Sequence, residues 1–269
     1  HELRQVWKTT LGGKLTAPVV ARGRIYISET DAHTVHALNA TSGNSIWSYT
    51  ANGRIDSPPT VHNNTVLFGS ADGWVYCLRE EDGALVWRYR GAPEERAIVV
   101  RGQLESAWPI HGSVLVENDV AVVAAGRSSY VDGGIHITRL NPATGKKLSE
   151  TLVNSLDPKT GKQPPGGVDL RGVLNDILAA SNGSVYMRHL KLDFETGDDL
   201  AIGPPHLFAP MGFLDGAWWH RSYWLFGSDP VCMPAKNESG WAIWSRVGNM
   251  VPSGRILALG DDTVFGYGR

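Results

Sequence analysis

Eleven side chains in the first half of the chain could do chemistry together. Asp31, His33, Asp72, Trp74, Arg127 and Asp132 fall in one kind of loop; Arg54, Asp56, Glu105, Trp108 and His111 fall in another. Carboxylates, guanidinium groups, imidazoles and indoles in loops suit polar and aromatic recognition of a ligand or partner. The competing reading is a set of solvated turns. Catalysis and metal binding are poorly served. A hard cation needs several converging oxygen ligands, and these carboxylates have no spacing of that kind. Asp157-Pro158-Lys159-Thr160-Gly161 and Asp261-Asp262 read as turn formers rather than ligands. There is no Gly-x-Ser-x-Gly elbow, and with nine His a chance Ser/His/Asp grouping is cheap. The expectation is therefore no catalytic set, no metal and no cofactor.

A second candidate is the aromatic run Trp218-Trp219-His220-Arg221-Ser222-Tyr223-Trp224. On a strand, adjacent residues point to opposite faces, so at most one of Trp218 and Trp219 faces a given side. An exposed set of Trp, Tyr and Arg would stack on sugars or anchor a peptide. The alternative is packing between sheets, and Trp241 and Trp244 invite the same choice.

These residues are positioned by a repeat. Trp7, Trp47 and Trp87 stand forty residues apart. Ala37-Leu38-Asn39-Ala40-Thr41-Ser42-Gly43-Asn44-Ser45-Ile46-Trp47 aligns without a gap on Cys77-Leu78-Arg79-Glu80-Glu81-Asp82-Gly83-Ala84-Leu85-Val86-Trp87. A repeat of that length built from short strands marks a β-propeller blade. The first unit predicts strands at 17–20, 24–28, 34–39 and 45–49, and the second repeats them over 55–89. The third is stretched: Gly83 to Gly145 is 62 residues, with about 22 inserted at 91–105 and 127–134, and Ser149 stands where the repeat Trp would be. A degenerate fourth unit follows at 176–180, 184–189 and 190–194, then strands at 255–259 and 263–267. In such a blade, the lead-in loop and the loop joining the two middle strands open on one face. The two sets of loop residues should therefore converge around the mouth of a central channel.

The fold class is all-β: four-stranded antiparallel blades in one domain over 1–269, regular over 6–152 and degenerate over 153–269. The 31 Gly, 15 Pro and only 19% charged residues suit a turn-rich β protein. A net charge of −2 argues against a nucleic-acid partner. No apolar run is long enough to span a bilayer. The chain opens at His1 without a signal peptide, so it reads as a mature product or a fragment. Cys77 and Cys232 are either one disulfide or two buried thiols.

The run 38–47, with Phe68-Gly69-Ser70-Ala71-Asp72-Gly73-Trp74-Val75-Tyr76 before the second turn, resembles the repeat of PQQ-like propellers. The likeness is good over residues 6–149 and looser beyond. Gln103-Leu104-Glu105-Ser106-Ala107-Trp108-Pro109 with Gly126-Arg127-Ser128-Ser129-Tyr130-Val131-Asp132-Gly133-Gly134 is similar to secreted or periplasmic propellers common in planctomycete-type genomes. The resemblance implies a ring of about eight blades, of which this chain would be an incomplete or fragmentary part. The family holds quinone-dependent alcohol and sugar dehydrogenases, and also catalytically silent scaffolds such as the outer-membrane assembly lipoprotein of Gram-negative bacteria. The dehydrogenases use a Ca²⁺ held by a Glu/Asn/Asp set, an Asp base, a Trp under the quinone and often an adjacent Cys-Cys pair; this chain has no adjacent cysteines. The expected function is a non-catalytic binding or assembly scaffold, periplasmic or secreted, with a protein or carbohydrate partner on its loop face. The alternatives are a PQQ- or metal-dependent oxidoreductase, with PQQ and Ca²⁺, and a structural subunit whose ring another segment or chain completes.

Overall fold

The computed structural model describes residues 4–162, 172–188 and 190–198, and further on 206–208, 214, 224–227, 253–254 and 256–267. The chain divides into two compact units, His1–Arg127 with Ile135–Leu152, and Ser128–Gly134 with Val153–Arg269.

The first unit holds three four-stranded antiparallel blades of a β-propeller. The first is β1 (Val19–Ala21), β2 (Arg24–Glu29), β3 (Thr34–Asn39) and β4 (Ser45–Thr50). The second is β5 (Thr60–His62), β6 (Thr65–Gly69), β7 (Trp74–Arg79) and β8 (Leu85–Arg90). A separate hairpin of β9 (Ala97–Val100) and β10 (Gln103–Ser106) follows. The third blade is β11 (Leu115–Glu117), β12 (Val120–Ala125), β13 (Ile135–Leu140) and β14 (Lys147–Val153). Each blade pairs its strands in chain order. The first hairpin of each blade turns on two left-handed residues, as a tight turn matched to strand twist requires: Arg22-Gly23, Asn63-Asn64 and Asn118-Asp119. The residues inserted at 91–105 are therefore not plain loop: Arg101-Gly102 has the same geometry (φ 52° and 76°) and folds them into β9–β10.

The forty-residue rhythm has a mechanical cause. Each repeat Trp packs on the last turn of the next blade and donates its indole N–H to a carbonyl there. Trp7 Nε1 reaches Ala40 O at 2.9 Å, Trp47 reaches Glu80 O at 2.8 Å and Trp87 reaches Pro142 O at 3.0 Å. Three residues after each acceptor stands Gly43, Gly83 or Gly145, at φ 69–75°. A Cβ on Gly83 or Gly145 would come within 2.7 or 2.6 Å of the indole, so glycine is required twice over, by conformation and by contact.

Alternation along the second blade fills the two interfaces beside it. Val66, Phe68, Tyr76 and Leu78 join Tyr26, Val35, Ala37 and Trp47 of the first blade in one core. Leu67, Val75 and Cys77 join Ala121, Val123, Ala125 and Leu140 of the third in another. Strands β6 and β7 are thus buried on both faces, like the centre of a layered sheet.

The second unit carries β15 (Leu178–Ser181), β16 (Ser184–Met187) and β17 (Leu190–Asp193), then β18 (His206–Phe208), β19 (Trp224–Gly227) and β20 (Ser253–Gly254), and a last pair, β21 (Ile256–Leu259) and β22 (Val264–Tyr267). The strands expected at 176–180 and 184–189 are shorter than the pattern predicts. Asp176 is buried and ion-paired to Arg188 at 3.5 Å, and Arg188 itself is left-handed (φ 56°), which ends β16. The Asp157 carboxylate accepts the N–H groups of Lys159 and Thr160 at 2.8 Å, as Asp193 does for Glu195 and Thr196. Both are turn formers of the kind built by Asn39 and Asn141.

Candidate functional site

Backbone hydrogen bonds lay the lead-in loops against the middle loops within the first unit. Ile55 N–H donates to Thr30 O at 3.4 Å and Ala71 N–H to Arg54 O at 2.7 Å. Ser106 N–H donates to Ala71 O at 2.8 Å, and Ile110 N–H to Ser70 O at 3.1 Å. The rim is therefore one connected ribbon, and side chains remote in sequence meet on it.

Five of the predicted residues form a single cluster around Arg54, which is 6% exposed. Its guanidinium lies 2.5 Å from Asp56 Oδ1, 3.3 Å from Glu105 Oε1 and 3.9 Å from Asp31 Oδ1. His111 Nδ1 donates to Asp56 Oδ2 at 2.6 Å. Burial disfavours the charged forms, yet the partners outweigh it. Arg54 is held above its ordinary value, and the Asp56 carboxyl, bonded by His111 and Arg54, lies at about 2. The Glu105 Oε1 is close enough for the ion pair but off the hydrogen-bonding direction, and it is buried without a hydrogen bond.

His33 belongs to the same rim. Its Nε2 meets Gln103 Oε1 at 3.0 Å, and Gln103 Nε2 donates to the Asp31 carbonyl at 3.4 Å. Asp72 is occupied inside its own loop, accepting Trp74 N–H at 3.0 Å and the Tyr76 hydroxyl at 2.6 Å. The Trp74 ring carries the Arg88 guanidinium at 4.4 Å. It borders a cleft of about 280 Å³ shared with Asp72, Arg90, Glu95, Leu104 and Glu105. Trp108 is 5% exposed and sits in the core under Arg96, 4.6 Å from its ring centre; it is a wall of the rim, and its ring is not open to a partner. Arg127 closes the first stretch of the first unit, and Asp132 belongs to the second, in a left-handed turn (φ 54°). Of the aromatic run, Trp224 lies in β19 and is half-buried. Trp218, Trp219, His220, Arg221, Ser222 and Tyr223 lie outside the described residues, as do Trp241, Trp244 and Cys232. Cys77 is a free, buried thiol.

Sequence reasoning passed over Gln103, Glu94, Glu95 and Arg96. A signal was present: an acidic pair beside Ala-Ile-Val-Val, a β-prone run inside an insertion.

The cluster does not suit Ca²⁺. Asp31, Asp56 and Glu105 all turn to Arg54, so a guanidinium fills the place a metal ion would need. Among the described residues, no three His, Cys, Asp or Glu side chains come together as a metal site. No described helix is long and apolar enough to cross a membrane.

Forty-residue blades stitched by Trp on the following Gly turn, with loops gathered on one rim, define a PQQ-like β-propeller protein. Within that class the chain belongs to the family described as outer membrane protein assembly factor BamB, whose family model matches residues 4–189. The BamB of Burkholderia pseudomallei (strain K96243) is 28% identical over 177 residues, 66% of this chain and 40% of that protein. The BamB of Yersinia pestis is 30% identical over 161 residues, covering 51% and 40%. The quinoprotein alcohol dehydrogenase PedH of Pseudomonas putida is 26% identical over 161 residues, covering 55% and 25%. The chain thus spans about two fifths of the length of the BamB relatives it matches. The crystal structure of BamB from Moraxella catarrhalis superposes with a TM-score of 0.51 at 17% identity, covering 82% of this chain and 60% of that one, a likeness of fold.

Proposed function

We propose that this chain is a non-catalytic scaffold acting outside the cytoplasm, in the assembly of outer-membrane proteins, and that it docks a protein partner on its loop rim. The observation that carries the reading is the Arg54 cluster. Asp56 and Glu105 are spent on Arg54 and His111 on Asp56, which fixes loop shape rather than activating a nucleophile or a water. A fixed rim presenting Asp31, whose side chain is 60% exposed, and the cleft beside Trp74 suits recognition by a preorganised surface. The family match and the assembly-factor relatives support the assembly role.

Site-specific photo-crosslinking in the native cell envelope tests it. A crosslinker at Asp31 should capture an outer-membrane protein or a component of its assembly, while one on β4 at Ile46 should not. Capture of nothing in the envelope from Asp31 would overturn it. The similarity to PedH keeps one other reading open to measurement. Titration with PQQ and Ca²⁺ should give no shifted quinone band and no dye-linked alcohol oxidation, and either signal would replace the scaffold with an oxidoreductase.

A further inference from the structure

We infer that the outer edge of β9 receives an extended peptide strand from a protein partner, added antiparallel to it. This rests on the scaffold reading above and names the chemistry of what docks.

Phase settles which backbone groups are available. The hairpin pairs Gln103 with Val100, Leu104 with Val99, Glu105 with Ile98 and Ser106 with Ala97. A two-residue turn makes Val100 and Gln103 a hydrogen-bonded pair, and bonded and non-bonded pairs then alternate. Ala107 N–H donating to Arg96 O at 2.8 Å fits that phase. Ala97 and Val99 therefore direct their N–H and C=O groups away from β10. On the other strand, Ser106 spends its outward N–H on Ala71 O. Among the described residues no third strand pairs with β9, so its edge is an open template.

That edge is unguarded, unlike those of β8 and β14. The outer strands β8 and β14 carry Arg88, Arg90, Lys147 and Glu150, and a bulge interrupts β7–β8 at Cys77/Leu78. Charges and bulges are the usual defence of an exposed edge. Strand β9 reads Ala-Ile-Val-Val, with neither. Val99 is 73% exposed and its cross-strand neighbour Leu104 is 67% exposed, an exposed apolar pair. Leu104 and Ala97 also border the cleft beside Trp74. An arriving strand thus meets an apolar face and then a pocket for one larger side chain. Glu94 and Glu95 stand exposed just before β9, with Arg96 3.9 Å from Glu94, so the C-terminal end of an antiparallel visitor would meet a net negative charge. The complementary ligand is an extended segment of alternating apolar residues ending in Lys or Arg.

The hairpin is also held still. Gln103 is bonded to His33, Glu105 is ion-paired to Arg54, Ser106 is bonded to Ala71, and Arg96 lies on Trp108. Four of the predicted or rim residues thus fasten the hairpin, and the partner-facing surface is its outer edge. A preordered edge spares the visiting strand part of the entropy of forming a sheet.

The test is an amide-resolved NMR titration with a synthetic peptide in which Val and Tyr alternate with Thr and two Lys close the C-terminus. Its twin carries N-methyl groups on alternate residues, which removes donors and leaves side chains. The parent should shift and protect the Ala97 and Val99 amides, and the twin should bind at least about tenfold more weakly, as expected for losing one or two backbone bonds. Val99→Pro removes an outward N–H without touching a hairpin bond. It should keep the thermal melt and lose the peptide to a similar degree. The inference falls if the methylated twin binds as well as the parent. It also falls if the parent leaves Ala97 and Val99 unmoved at millimolar concentration. Crosslinking from Asp31 is read separately, so the scaffold can survive the loss of the strand proposal.

Discussion

Arg54 meets three acids and could not be neutral in that setting, so its charge is permanent and its neighbours adjust to it. Asp56 bears most of that adjustment. Its carboxyl sits at about 2 against an ordinary 3.8, depressed in the folded chain. Stability from this source is therefore present above about pH 4 and lost as pH falls from there toward 2, amounting to about 2 kcal/mol. Asp56→Asn should lower stability by roughly that much at pH 7 and flatten the stability profile between pH 4 and pH 2, both read from urea melts at several pH values. An unchanged slope in that window would mean the cluster is not the acid-labile element. Glu105→Gln should cost less at neutral pH, because its ion pair with Arg54 lacks a well-directed hydrogen bond; about 1 kcal/mol or under by thermal melt is expected.

At the scale of the elements, the Trp stitch can be dissected. Trp47→Ala removes a buried ring and the bond to Glu80 O, and should cost about 3–5 kcal/mol. Gly83→Ala faces two penalties, a left-handed backbone and a Cβ 2.7 Å from that ring. In a Trp47→Ala background only the backbone part remains, about 1 kcal/mol. The double mutant should therefore be more stable than the sum of the single changes predicts, measured by equilibrium unfolding. This element was legible in the residues alone, because period, glycine and indole are all local signals. So were the type and order of the strands in the first two blades. The rim was legible as a list of loops, since the repeat maps loops onto one face. Its pairings were not, because the contact between Arg54 and Glu105, or between His33 and Gln103, depends on where an insertion folds back. The hairpin inside 91–105 was hidden for the same reason: its signal was a short β-prone run that read as extra loop. Trp108 looked like a recognition residue because loop position does not reveal burial.

For the whole molecule, Cys77 is a reporter. It lies at 0% exposure in the core shared by the second and third blades, and burial pushes its thiol up to about 11. Alkylation of Cys77 at pH 8, followed by peptide mass mapping to separate it from Cys232, should be undetectable in minutes in native buffer. It should reach the rate of an exposed thiol across the urea transition. Rapid native labelling would show that the two blades part without global unfolding. The match to the assembly-factor family over residues 4–189 spans that whole core, so the reporter tests the portion on which the family assignment rests.

The indole stitch also has a direction. Each ring reaches forward to the turn of its successor, so a blade leaving the ribosome presents a bare tryptophan until the acceptor 33 to 55 residues further on has emerged. Synthesis would thus proceed like a zip fastener, with one tooth always waiting. A pause within a repeat would leave an oily handle on the nascent protein, which a chaperone could grip until the next turn arrives.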